Sequence, residues 1–139
     1  MRKIDKFIIH CSATPEGRDY TVQQIREWHV KGNGWRDIGY HYIIYRDGSI
    51  HTGRSIEQIG AHTTGYNSHS IGICYIRGYA ADGKTPKDTR TEAQRRALIK
   101  LLRELKAKYP SATIHGHNEF ANKACPSFIV KNDPEVCAI

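Results

Sequence analysis

Residues 91–110 read TEAQRRALIKLLRELKAKYP, and no other stretch of the chain commits so plainly to one secondary structure. Apolar side chains at 93, 97, 98, 101, 102 and 105 recur with the α-helical period, and Pro110 stops the run. Thr89 and Glu92 stand in the spacing of a capping box and mark the start. The pattern predicts a helix of about five turns from Thr91 to Tyr109 with one face against a core.

An apolar run lies on each side of that helix. SIGICYIRG (70–78) reads as a buried strand, AADGKTPKD (80–88) as a long turn, and SATIHGH (111–117) as a last short strand. Toward the N-terminus, GYHYIIYRDGSIHTGR (39–54) holds two β-rich runs joined at Asp47-Gly48, the signature of a hairpin over about Tyr40 to Thr52. IDKFIIHC (4–11) reads as another buried strand, followed by a Pro and Gly loop. Thr21 and Gln24 form a second capping box ahead of Val22, Ile25 and Trp28, which predicts a helix from about Thr21 to Lys31 closed by Gly32, Asn33 and Gly34. The tail after His117 reads as mostly irregular. The order strand, helix, hairpin, strand, helix, strand predicts one α/β domain over residues 1–139, a central mixed sheet flanked by helices.

Composition agrees. A chain of 139 residues with 39% apolar and 25% charged side chains has room for one self-sufficient core and excludes two large domains. Twenty-one Lys and Arg against 14 Asp and Glu give +7, a charge that draws the molecule toward polyanions such as nucleic acid, anionic lipid or bacterial wall polymers. The basic residues are scattered, with the densest run on one face of the 91–109 helix, and no nucleic-acid motif accompanies them, so nucleic acid is not an expected partner. MRKIDKFIIH carries four charges and a three-residue apolar run, which is no secretory segment, and nothing approaches the ~20 apolar residues of a membrane span. Synthesis in the cytosol is expected. Cysteines at 11, 74, 125 and 137 form no CxxC pair and read as reduced thiols, Cys11 and Cys74 as small buried hydrophobes.

Eight histidines mostly fall at strand ends and in adjoining loops, where functional groups commonly sit. His10 ends the first strand, His115 and His117 end the last, and Cys125 follows eight residues after His117. Imidazole and thiolate are the ligands zinc prefers, and three of them leave one tetrahedral position open. The alternative is three satisfied polar residues. His115 and His117 share one strand face by the period of two, so either suits the set. Lys123, two residues before Cys125, would place an ammonium beside such a site, or it is a plain surface lysine. Tyr40 and Tyr42 share a face at the start of the hairpin, as proton donors or as rim aromatics. No GxSxG elbow, Gly-rich phosphate loop or HExxH motif is present, which argues against serine hydrolase, nucleotide and zincin readings.

The strings FIIHCSAT (7–14), IREWH (25–29), GYHYIIYRDG (39–48), GYN (65–67) with SIGIC (70–74), and HNEFANKACPSF (117–128) together resemble the zinc-dependent N-acetylmuramoyl-L-alanine amidases. These include the small phage amidases traditionally called phage lysozymes, and they share a fold with the peptidoglycan recognition proteins. The likeness runs in order over residues 4–128. It implies that fold, and cleavage of the amide joining N-acetylmuramic acid to the L-alanine of the stem peptide, as a phage or prophage endolysin would do. A true glycosidase would instead need two carboxylates flanking a sugar bond.

By position, the resemblance assigns one Zn2+ per chain to His10, His117 and Cys125, catalytic roles to Tyr40 and Lys123, and substrate contacts to His62, Thr63 and Asn67. His41 and Glu119 are further candidates for orienting a metal ligand. Bacterial peptidoglycan is the implied partner, met by a monomer released through a holin-like pore or by lysis. The competing reading is a non-catalytic peptidoglycan-binding module of the same fold, from which Cys125 beside both histidines points away. The first predicted strand begins almost at Met1, so the longer N-terminal arm of the small phage amidases is not expected here, and binding of the phage RNA polymerase is possible but unsupported.

Overall fold

The computed structural model describes residues 2–139. Along the chain run β1 (Lys6–Cys11), β2 (Thr14–Pro15), α1 (Val22–Glu27), β3 (Tyr42–Ile44), β4 (Ile50–Thr52), β5 (Ser70–Tyr75), β6 (Gly78–Tyr79), α2 (Glu92–Lys108), β7 (Thr113–Gly116) and α3 (Pro134–Cys137). Five of the strands form one sheet in the order β4-β3-β5-β1-β7, while β2 and β6 pair as a separate two-stranded ribbon. In the main sheet β1, β3, β5 and β7 are mutually parallel and only the β3–β4 hairpin is antiparallel. The expected mixed sheet is therefore present.

The period of two sorts the sheet's side chains onto two faces. Phe7, Ile9 and Cys11 of β1 and Ile71, Ile73 and Tyr75 of β5 pack with Ala97, Leu98, Leu101, Leu102 and Leu105 of α2 in the larger core. Ile8 and His10 alternate with these, and register sets Gly72 beside Ile8, Cys74 beside His10 and His115 beside Ile8. All five thus lie on the sheet face away from α2. That second face carries a smaller apolar cluster, Ile25, Ile38, Ile43 and Ile76, which leaves room for polar chemistry.

Three boundaries differ from the sequence reading. The cap of α2 is Thr91, whose Oγ1 accepts from Gln94 N at 3.1 Å while Gln94 Oε1 accepts from Thr91 N at 2.9 Å. Thr89 is occupied elsewhere, its Oγ1 accepting from Gly78 N at 2.7 Å. Gln94 is buried, a position no apolar pattern flags, because its amide donates to the carbonyls of Ile44 and Ile76 where β3 and β5 end. The first helix has its expected Thr21–Gln24 box but ends at Glu27 and continues as a π-helical turn, Trp28–Gly32. The tail is less irregular than expected: a 3-10 turn at Val130–Asn132 leads into α3, capped by Asp133.

Candidate active site

The carboxyl ends of β1 and β7 lie side by side, where parallel sheets commonly hold ligands. β1 and β7 are in register from Lys6 beside Thr113 to Ile9 beside Gly116, so the next step brings His117 level with His10 on the face away from α2. His115, one pleat lower, falls level with Ile8. It is engaged by Glu119 at 2.8 Å and Thr113 at 2.6 Å. The ambiguity between the two histidines is thus resolved by level along the strand.

Cys125 arrives from the tail. Its Sγ accepts from Cys11 N at 3.3 Å and lies 3.8 Å from His10 Nδ1. The segment that carries it is pinned on both sides: Tyr75 donates its hydroxyl to Pro126 O at 2.6 Å, and the Arg90 guanidinium lies 3.5 Å from the Phe128 ring centroid. Arg90 is itself clamped by Asp88 and Asp133 at 2.9 Å each. One ligand atom each from His10, His117 and Cys125 lies within 4.8 Å of the others, a group that could hold one metal ion on slight closure of the side chains. Two imidazoles and a thiol are donors that zinc prefers, so the side chains present fit that metal.

Burial sets the electrostatics. Desolvation, with the nearby His62, His117 and Lys123, pushes His10 well below the usual histidine range, and desolvation with Lys123 also lowers His117. Both rings are neutral at pH 7 and keep a lone pair. The Cys125 thiol is pushed up by its hydrogen bond with Cys11 and by burial, so without a cation it keeps its proton. The Tyr40 ring lies 5.2 Å from that of His10, and burial and the thiols of Cys74, Cys125 and Cys11 hold its phenol well above the usual range. Tyr40 therefore stays a proton donor. His29 backs it at 5.5 Å and is fixed by Gly39 N–H at 2.9 Å, a support that the IREWH string held without showing. Lys123 is exposed, and its charge helps to lower both His10 and His117.

The loop residues expected to meet substrate are otherwise engaged. His62 and Thr63 are only 9% and 2% exposed, and their side chains turn inward toward His10. Asn67 Oδ1 accepts from His62 N at 2.9 Å and Thr63 N at 2.8 Å, so it shapes the loop. All three residues thus have partners within the chain. Nor do His41 and Glu119 touch a ligand. His41 bonds Gly72 N and Gln58 O, and Glu119 bonds His115 and Gly116 N. All four cysteines are free thiols.

Similarity to known proteins points the same way. The N-acetylmuramoyl-L-alanine amidase family matches residues 1–128. The endolysin of Klebsiella phage KP32 is 45% identical over 130 residues, covering 94% of this chain and 85% of that one. Among solved structures, N-acetylmuramoyl-L-alanine amidase LysC from Clostridium intestinale superposes with a TM-score of 0.82 at 29% identity, over 99% of this chain and 85% of that one. A Drosophila PGRP-LB variant in complex with tracheal cytotoxin superposes with a TM-score of 0.81 at 26% identity, over 97% and 84%. Residues that end two adjacent parallel strands, a cysteine returned from the tail and a match over nearly the whole chain lead to one assignment: the chain belongs to the N-acetylmuramoyl-L-alanine amidases, hydrolases of the bond between peptidoglycan's muramic acid and its stem peptide.

Proposed function

We propose that the amidase reaction runs at the cluster of His10, His117 and Cys125, with one zinc ion held by those three side chains and with Tyr40 and Lys123 as catalytic residues. The observation that carries the reading is the convergence, within 4.8 Å, of zinc-preferring donors from three distant parts of the chain. When bound, zinc supplies Lewis acidity, polarising a carbonyl and bringing the pKa of water down toward about 7.

The chain's own residues do the rest. The neutral His10 and His117 offer lone pairs, and Cys125 gives up its proton to hold the cation. As charge develops on the carbonyl oxygen of the lactyl group, the Lys123 ammonium stabilises it. Tyr40, kept protonated, donates a hydrogen bond to that oxygen or passes a proton toward the departing alanine nitrogen. A net +7 favours approach to anionic wall polymers. Every group named comes from one chain, which supports action as a monomer. Likeness to phage endolysins supports delivery to the wall through a pore or by lysis, and none of the described helices is long and apolar enough to cross a membrane.

The test is product analysis on purified peptidoglycan, scoring new alanine amino groups against new reducing sugars, with and without a chelator. Amines without reducing ends, lost with chelator and restored by zinc, are the expected result. Activity indifferent to chelator would remove the metal from the reading.

A further inference from the structure

We infer that His62 is a positioning residue: it accepts a hydrogen bond from His10 Nε2–H and thereby reserves His10 Nδ1 for the cation shared with His117 and Cys125. The inference rests on the metal reading above and extends it from the ligands to what aims them.

The two nitrogens of His10 face different partners. Nε2 lies 2.8 Å from His62 Nδ1, while Nδ1 faces Cys125 Sγ at 3.8 Å. A neutral imidazole has one N–H and one bare nitrogen. If Nε2 carries the proton, it donates to His62 and Nδ1 is free to ligate; in the opposite tautomer Nδ1 is blocked. His62 settles the matter only if its own Nδ1 is bare, which places its proton on Nε2, 3.3 Å from Ser70 Oγ. Thr63 Oγ1 lies 3.0 Å from His62 Nδ1 and 3.3 Å from His10 Nε2, a second acceptor within reach. His10, His62, Thr63 and Ser70 are 1%, 9%, 2% and 0% exposed, so water is poorly placed to substitute for any member of the chain.

The surrounding backbone is built to admit this ring. A Cβ on Gly72 would come within 2.6 Å of His62 Cδ2, and one on Gly60 within 2.8 Å of the same atom. Gly72 occupies the pleat beside Ile8, one step below His10, so a side chain there would displace the ring that backs the ligand. The His62 main chain is held by Asn67 Oδ1. Backing a ligand imidazole from its second nitrogen is a general way to fix its tautomer and raise its basicity.

The direct test is the tautomer of His10 in the metal-free, unaltered protein, read from long-range proton–nitrogen correlations. A proton on Nε2 is expected, and a proton on Nδ1 would overturn the inference. The second test is zinc affinity by competition with a chromophoric chelator. His62→Leu should weaken zinc binding by about 10- to 100-fold, and His62→Asn, whose Oδ1 falls near the place of Nδ1, should recover it to within about threefold. A purely structural role would lower the melting temperature of both metal-free variants without separating their zinc affinities. His62→Leu binding zinc as tightly as the parent would overturn the inference. A parent that fails to retain zinc, or that binds it equally well as Cys125→Ala, would instead sink the metal reading, and the tautomer of His10 would still decide the role of His62. The tautomer experiment needs no variant, so a misfolded His62→Leu leaves it standing.

Discussion

Acid should destabilise this protein through His41, a histidine outside the metal cluster. His41 is fully buried, its Nδ1 accepting from Gly72 N at 3.0 Å and its Nε2–H donating to Gln58 O at 2.8 Å. Both nitrogens are therefore committed in the neutral form, and the Arg2 guanidinium lies 3.0 Å from Nε2. Burial above all, with Arg2 and Arg54 adding to it, pushes His41 down from 6.5 to about 4. Between those values the unfolded chain takes up a proton that the folded chain refuses, so the stability His41 contributes is complete above pH 6.5 and is lost as pH falls toward 4. The fall from 6.5 to about 4 is worth about 3 kcal/mol, of which about 2.5 kcal/mol is gone by pH 4.5. Against a typical net stability of about 5–15 kcal/mol this is a large fraction.

His41→Asn isolates the effect, because Asn does not titrate while its Oδ1 can still accept from Gly72 N–H. Urea unfolding followed by tryptophan fluorescence, with chelator present, gives the stability of parent and variant at pH 7 and pH 4.5. The parent should be the more stable at pH 7, where the variant has lost volume and the bond to Gln58, and the gap should close by about 2.5 kcal/mol at pH 4.5. Buried histidines that do not feel His41 titrate alike in both proteins and cancel; His62, which His41 helps to lower, is less depressed in the variant and moves the gap in the same direction. A gap unchanged between the two pH values would show that His41 is not the titrating group.

Cys125→Ala should lose bound metal and activity together, whereas Lys123→Ala should keep its metal content and lose rate by about 100-fold or more; a fully active Cys125→Ala protein would remove the proposed site. Zinc affinity should fall as pH drops from 7 to 4, because the ligands must shed protons to bind, and an affinity flat over that range would contradict imidazole and thiolate ligation. Leu102→Ala, at a fully buried position on α2, should cost about 2–5 kcal/mol in urea or thermal unfolding, and a loss under 1 kcal/mol would mean that α2 does not carry the larger core.

Much of the fold was legible because its main elements are strongly periodic. The apolar positions of residues 97–105 could only be a helix face, Asp47-Gly48 between two β-rich runs could only be a tight turn, and FIIHC and SIGICY have the continuous apolar character of strands buried on both faces. Local signals were weaker where chemistry is shared. Thr89 and Thr91 both fit a cap, and the choice fell to Thr91 because Thr89 was drawn to Gly78 N, 11 residues away along the chain. Gln94 carries no apolar signal, and its burial follows from two strand ends that supply carbonyls for its amide.

Residue types, and the face each takes on its own strand, follow from local spacing alone. Periodicity put His115 and His117 on the same face but could not rank them, because face follows from spacing within one strand whereas level depends on registry with another. Only the pairing of β7 with β1 set His117 beside His10. Nor could spacing reveal that the loop from Gly60 to Asn67 folds inward, since loop direction depends on the space that Gly72 leaves open and on Asn67 closing its own turn. The tertiary structure thus decided which imidazoles meet Cys125 and which one stands behind them, because hydrogen-bond partners across 52 residues are fixed by packing and not by local preference.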